Sequence, residues 1–265
     1  MKIDVTFGSV EGSGFVMDYC SFGNGSKPMV ILPGLSMFPV TPMGETVARQ
    51  FYRFIDDYKV YLFDRKRDIN DGYSVENMAD DTAEAMKQLG INDAVVYGAS
   101  QGGMIAQVLA AKHPELASRL VLCSTAASAG DVSSPVAAQW LELAKAGKVV
   151  ELNRSFAHNV YSEEFCRKNA NTLKMVEKLG GPDDLKRVER LASAVINFDA
   201  YPILPLIKCK TLVVGASNDK VLGGDTSPKL AKALGAELLM YDNSSHACFD
   251  EEPDLHDRVL EFLRK

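Results

Sequence analysis

The sequence predicts an α/β protein, built on a mostly parallel, doubly wound sheet of about eight strands with an inserted helical cap. Three observations carry that expectation. Short, continuous apolar runs recur along the chain, as in strands covered on both faces. Helical segments stand between them, and strand–helix–strand units in one sheet are right-handed crossovers. The alternation then stops from about residue 124 to 206 and resumes, as an insertion between two strands would make it.

Residues 2–8 and 14–21 read as antiparallel strands joined by a glycine-rich turn over 8–14. Met29-Val30-Ile31-Leu32 is an unbroken apolar run that ends at Pro33-Gly34. Residues 44–56 read as a helix and 59–63 as a strand. The segment 74–89 is a helix with Ser74 as N-cap, acidic residues early and Gly90 at its end. Ala94-Val95-Val96-Tyr97 is a buried strand, 104–112 continues a helix that stops before Pro114, and 119–123 is the next strand. Helices follow over 135–147, 150–159, 162–179 and 183–197, punctuated at Gly147, Gly180-Gly181-Pro182 and Tyr201-Pro202. Strand 211–214, helix 227–234, strand 237–241 and a last helix after Pro253 restore the alternation. The chain is therefore expected to divide into a core of residues 1–124 and 206–265 and a cap, or lid, of residues 125–205. Such an insertion should cover the C-terminal edge of the sheet, where open α/β sheets bind their ligands.

At 265 residues the chain can bury a sizeable core without disulfide staples. A formal net charge of −6, with no clustered basic tract, argues against nucleic acid as a partner. The five cysteines, Cys20, Cys123, Cys166, Cys209 and Cys248, are odd in number, scattered and free of Cys-x-x-Cys spacing. Neither a disulfide framework nor a zinc site is expected, and a reducing compartment fits. The N-terminus alternates charged and apolar residues and lacks the apolar run of a secretory leader. No stretch approaches the roughly 18 apolar residues that cross a bilayer. The expectation is a soluble, cytoplasmic protein with no membrane partner.

Gly98-Ala99-Ser100-Gln101-Gly102 fits the pattern G-x-S-x-G and sits between a buried strand and a helix. A sharp strand-to-helix turn holds the serine in a strained conformation, so residues without a Cβ are needed on either side of it, at 98 and 102. The turn also sets the serine at a helix N-terminus, where backbone N–H groups favour a developing anion. Ser100 is thus the candidate nucleophile. Gly215-Ala216-Ser217 repeats the tripeptide, but Asp219 stands where the second glycine would be, so Ser217 is not a second one.

A serine hydroxyl needs a neighbouring base, and histidine titrates near neutrality. Only four histidines are available. His113 ends the helix that begins at Ser100, roughly 15 Å away along its axis. His256 lies within the last helix, and His158 in the insertion reads as a lid surface residue. His246 alone follows a sheet strand in a loop at the edge where Ser100 emerges. The base in turn needs a carboxylate to fix its tautomer. Asp219, in the loop after strand 211–214, lies on the same edge. Asp225 is its main rival, and Asp242 is too close to His246 in sequence to face it easily. Donors for a tetrahedral oxyanion are expected from the backbone N–H of Gln101 and, in the Pro33-Gly34-Leu35 bend, that of Leu35.

With these residues in place, the chain resembles the α/β-hydrolase superfamily over essentially its whole length. It looks most like the compact, lidded branch of small carboxylesterases, enol-lactone hydrolases, metal-free perhydrolases and C–C bond hydrolases. The matching stretches are 30–35, Phe63-Asp64-Arg65, 74–90, 97–104, 206–219, and His246 followed by Glu252-Pro253. The chain order Ser, Asp, His is that of the superfamily. Three departures stand out: Pro33-Gly34 where the family often has His-Gly, Ser245 where glycine often precedes the base, and Lys66-Arg67-Asp68 where a Gly-rich, Ser-containing loop usually follows Asp-Arg. Ser100 separates the chain from branches with an aspartate nucleophile, such as haloalkane dehalogenases and epoxide hydrolases.

The resemblance implies hydrolysis of a small-to-medium carboxylic ester, lactone or thioester through an acyl-enzyme. The alternatives are C–C bond hydrolysis or a cofactor-free lyase reaction on the same scaffold, or a receptor-like protein with little turnover. Apolar side chains that could line the pocket are Leu35, Met37, Phe38, Met104, Trp140 and Phe156. His158, Arg154, Arg167 and Lys168 lie in the insertion, where the cations could meet a substrate carboxylate, although a solvated helix face is the stronger reading. Neither a metal nor an organic cofactor is expected, because every catalytic part is a side chain or a backbone amide. The expected partner is a small ester-like molecule, and a homo-oligomer is compatible with the chain.

Overall fold

The two N-terminal strands form a tighter hairpin than their glycine spacing suggests. In the computed structural model, which describes residues 2–265, β1 (Val5–Gly12) pairs antiparallel with β2 (Phe15–Phe22), Gly12 opposite Phe15. Ser13 and Gly14 alone make the turn, with Gly14 at φ 85°. The expected turn over 8–14 is thus corrected: Gly8 and Gly12 are strand residues. A Cβ would come within 2.8 Å of the Tyr19 ring at Gly8 and within 2.2 Å of the Phe15 ring at Gly12. These glycines make room for aromatic rings across the hairpin.

Next, β3 (Lys27–Leu32) pairs parallel with β4 (Tyr58–Lys66), whose other edge takes β2 antiparallel. Parallel pairing continues through β5 (Ala94–Ala99), β6 (Ala117–Cys123), β7 (Lys210–Ala216) and β8 (Glu237–Tyr241). The eight-stranded sheet has the order β1-β2-β4-β3-β5-β6-β7-β8. Its side chains explain the unbroken apolar runs. In β3, Met29 and Ile31 join the core on one face while Val30 and Leu32 join the core on the other. Both faces are covered, so neither parity can be polar. Each such side chain, fully buried, contributes about 1.5–3 kcal/mol.

The helices that cover these faces are α1 (Gly44–Gln50), α2 (Val75–Gln88) and α3 (Gln101–Lys112) in the first half of the sheet. Ser74 caps α2 as expected, in a reciprocal pair with Asn77. The helix expected over 44–56 ends at Gln50, and the turns that follow bury Phe51 and Phe54. Between β6 and β7 come α4 (Val136–Lys145), α5 (Val149–Val160), α6 (Glu163–Lys168), α7 (Ala170–Val176) and α8 (Pro182–Ile196). The single helix expected over 162–179 is two, broken at Asn169, which has φ −107°. Finally, α9 (Thr226–Leu234) crosses from β7 to β8, and a short α10 (Cys248–Glu251), absent from the sequence reading, precedes α11 (Leu255–Arg264). Among the described residues, no helix is long and apolar enough to cross a membrane.

Candidate active site

All six residues of β5 are buried, and the chain leaves the strand through a strained turn. Ser100 has φ 52° and ψ −120°, a conformation that costs on the order of 1–3 kcal/mol for a residue with a Cβ. Bonds to the neighbouring strand end hold it there: its N–H donates to Cys123 O (2.8 Å), and its carbonyl accepts from Thr125 Oγ1 (2.7 Å). The flanking glycines are sterically required. A Cβ on Gly102 would lie 1.9 Å from the Leu32 carbonyl oxygen, and one on Gly98 2.5 Å from the Gly102 oxygen. Ser100 therefore stands, partly exposed, at the N-terminus of α3 and at the C-terminal end of the sheet.

Parallel strands β7 and β8 end on the same edge, and the loops after them bring Asp219 and His246 together. His246 Nδ1 lies 2.8 Å from Asp219 Oδ2, with both side chains almost fully buried. The other carboxylate oxygen, Oδ1, accepts from the backbone N–H of Val221 and Leu222 at 2.8 and 2.9 Å. Those amides fix the carboxylate so that Oδ2 faces the imidazole. The His246 loop is clipped to the end of α5 by the Ala247 N–H on Val160 O, at 2.9 Å. The rival acid Asp225 is turned to an ion pair with Lys229, and Ser217 is exposed and bonded to Asp242. The Ser100 hydroxyl makes no hydrogen bond to a protein group among the described residues, so its link to His246 is open in this structure.

The loop after β3 passes directly beside the serine: a Cβ on Gly34 would lie 3.2 Å from Ser100 Cβ and 3.8 Å from its Oγ. Neither the Leu35 nor the Gln101 backbone N–H is bonded to a protein acceptor among the described residues. Next to this loop is a third apolar cluster. It joins Met37 to Val136, Trp140, Leu152, Leu185 and Val188 of the inserted helices and to Val221 and Leu222 of the Asp219 turn. Leu35 and Phe156 pack on its edge, and the Trp140 and Phe156 rings stack at 4.0 Å. Phe38 is exposed beside Gly180. Met37 and Trp140 are themselves buried within the third cluster, whereas Met104 is enclosed in a different one, the core between α3 and the sheet, with 1% of its surface accessible.

The insertion's polar candidates face solvent. His158 and Arg167 are exposed, Arg154 pairs with Glu177, and Lys168 pairs with Glu164. His113 sits at the far end of α3 beside Asp80 and Glu115. His256 is a packing residue in an aromatic nest with Phe51, Phe54 and Tyr97, and burial pulls its pKa down to about 4. Among the described residues, no three His, Cys, Asp or Glu side chains converge as a metal site.

One group escaped the sequence reading as a site. Asp64 and Arg65 lie near the C-terminal end of β4, just before Lys66, with 3% and 5% of their surfaces accessible, and both bond to the loop after β3. A charged pair directly after the apolar Leu62-Phe63 of a central strand was the available signal, because buried charges need dedicated partners.

A family model described as the alpha/beta hydrolase fold matches residues 15–253. The chain belongs to the α/β-hydrolase family. It is 27% identical over 235 residues to the "Putative carbamate hydrolase RutD" of Rhizobium rhizogenes, a match covering 83% of this chain and 88% of that protein. Over 277 residues it is 24% identical to the 2-hydroxy-6-oxononadienedioate/2-hydroxy-6-oxononatrienedioate hydrolase of a Pseudomonas species, covering 99% and 96%. The crystal structure of the enol-lactonase from Burkholderia xenovorans LB400 superposes with a TM-score of 0.83 at 22% identity, covering 97% of this chain and 100% of that one. The two sequence relatives are named hydrolases, and the enol-lactonase shares the fold.

Proposed function

We propose that this protein is a serine hydrolase that cleaves a small-to-medium carboxylic ester, lactone or thioester through an acyl-enzyme. The observation that carries the reading is the strained Ser100 at a helix N-terminus, on the same sheet edge as the buried Asp219–His246 pair. Asp219 engages Nδ1, which leaves Nε2 as the nitrogen free to take a proton. In the reaction, Ser100 Oγ attacks the substrate carbonyl and passes its proton to His246 Nε2. The imidazolium, stabilised by Asp219, then returns the proton to the leaving alcohol, thiol or enol. Water, deprotonated by the same histidine, releases the acyl group from Ser100. The Ser100–His246 bond forms on substrate binding, since such bonds are often long in ligand-free enzymes.

The N–H groups of Leu35 and Gln101 receive the oxyanion, each donor being worth about a hundred- to a thousandfold in rate. The segment 125–205 acts as the cap over this edge, with Met37, Trp140 and Phe156 forming the apolar wall of the acyl site. The second reading is C–C bond hydrolysis, favoured by the near full-length likeness to the 2-hydroxy-6-oxononadienedioate hydrolase. The deciding experiment is a panel of p-nitrophenyl esters, lactones, thioesters and vinylogous diketo acids, run with wild type and Ser100→Ala. Ester, lactone or thioester turnover that falls by several orders of magnitude in the variant supports the first reading. Turnover of the diketo acids with feeble ester activity supports the second, and wild-type turnover of nothing on the panel overturns both.

A further inference from the structure

Loop 33–41 carries one of the two proposed oxyanion donors, and adjacent residues of β4 hold it at both ends. At its start, Arg65 Nη2 donates to the Pro33 carbonyl at 2.6 Å. At its far end, Asp64 Oδ2 accepts from the backbone N–H of Val40 (2.5 Å) and of Thr41 (3.2 Å). The same two side chains reach the other donor and the inserted helices. Arg65 Nη2 is 3.4 Å from Gln101 Oε1, and Gln101 Nε2 donates to the Leu191 carbonyl of α8 at 2.9 Å. Asp64 Oδ1 accepts from Arg187 Nη2, also on α8, at 2.9 Å. The Gln101 side chain is 1% accessible, so its amide has no solvent alternative to these partners.

This arrangement is expensive to bury. Arg187 pairs with Asp64, the Arg65 guanidinium has carbonyl oxygens and no carboxylate as its partners among the described residues, and Arg65 Nε and Arg187 Nε are buried without any partner. Apolar residues of similar volume often replace such ionic groups with no loss of stability, or with a gain. A cluster retained for packing alone would therefore be poorly suited to the task. Holding the Pro33 carbonyl and the Gln101 side chain at one spacing is what a planar, multi-donor guanidinium does well.

We propose that Asp64 and Arg65, acting with the Gln101 side chain, are positioning residues that set the separation of the Leu35 and Gln101 N–H groups and tie that separation to the seating of α8. The inference rests on the serine hydrolase reading. Such a clamp acts on the tetrahedral state, where donor geometry matters most, and little on ground-state binding.

The test compares wild type with Arg65→Met and Gln101→Met, the second keeping the backbone N–H while removing both side-chain bonds. The readouts are kcat and KM per active site titrated with a fluorophosphonate, the affinity of a boronic acid that mimics the tetrahedral state, and the melting temperature. Expected is a fall in kcat of about ten- to a hundredfold with KM within about threefold. The boronic acid should weaken by a factor parallel to kcat/KM, and Arg65→Lys should recover part of the loss. Should Arg65→Met fail to fold, Gln101→Met decides. Unchanged kcat per titrated site, or a rise in KM alone, in an active wild-type background overturns the clamp and leaves the hydrolase reading standing. A wild type that neither turns over nor labels overturns the hydrolase reading and the clamp with it.

Discussion

Replacing His256 by phenylalanine should remove a pH-dependent weakness from the fold. The imidazole packs 4.6 Å from the Phe51 ring, 5.5 Å from Phe54 and 6.2 Å from Tyr97, centroid to centroid, and its Nε2 is buried without a partner. Burial lowers its pKa from 6.5 to about 4; Arg53 adds to the effect, while a backbone hydrogen bond with Gln50 and the charge of Asp257 oppose it. Above pH 6.5 the ring is neutral whether the chain is folded or unfolded, so its burial carries no protonation penalty. Between 6.5 and 4 the unfolded chain binds a proton that the folded chain refuses, and stability falls as pH falls. Each pH unit in that window is worth up to about 1.4 kcal/mol, or about 2 kcal/mol by pH 5.

Urea unfolding of wild type and His256→Phe at pH 7.5 and pH 5 measures this directly, because the difference between the two proteins cancels every other titrating group. At pH 7.5 the variant should equal or exceed wild type, since phenylalanine fills the nest and leaves no unpaired nitrogen. At pH 5 the gap should widen in the variant's favour by about 2 kcal/mol. A gap that stays constant with pH, or narrows on acidification, would refute the claim that the ring is held neutral by its surroundings.

Two further predictions concern the site. Asp219→Asn should preserve the fold but lower kcat by about a thousand- to ten-thousandfold in a steady-state ester assay, because the amide favours the wrong imidazole tautomer; a loss below tenfold would speak against its orienting role. Gly102→Ala should destabilise the protein by about 2–4 kcal/mol in a denaturant melt, since its Cβ would sit 1.9 Å from the Leu32 carbonyl oxygen and one of two backbone segments must move.

Sheet architecture was readable because both faces of each central strand are buried, which writes itself into the chain as unbroken apolar runs such as Met29 to Leu32. The insertion was readable because helices α4 to α8 interrupt that rhythm. The Asp219–His246 pair followed from topology joined to elimination: parallel strands β7 and β8 deliver the loops after them to one edge, and few histidines and acids lie in those loops. Legibility failed where a side chain far away in sequence sets the geometry. Gly8 and Gly12 signalled a turn by composition, yet they answer to the Tyr19 and Phe15 rings. Met104 has the chemistry of a pocket residue, but the side of α3 on which it lies is closed by the sheet core. Asp64 and Arg65 matched the family pattern, while their partners at residues 33, 40, 41, 101 and 187 come from three other parts of the chain. No local pattern encodes such a meeting.

The central claim is that the hydroxyl of Ser100 becomes covalently attached to the acyl group. Its most direct test is intact-mass and peptide mass spectrometry of the protein treated with a fluorophosphonate, alongside residual activity toward the best ester of the panel. One adduct per chain, mapped to Ser100, appearing in step with loss of activity and missing from Ser100→Ala, is the predicted result. An adduct on another residue, or an unmodified protein that still hydrolyses the ester at full rate after treatment, would contradict it.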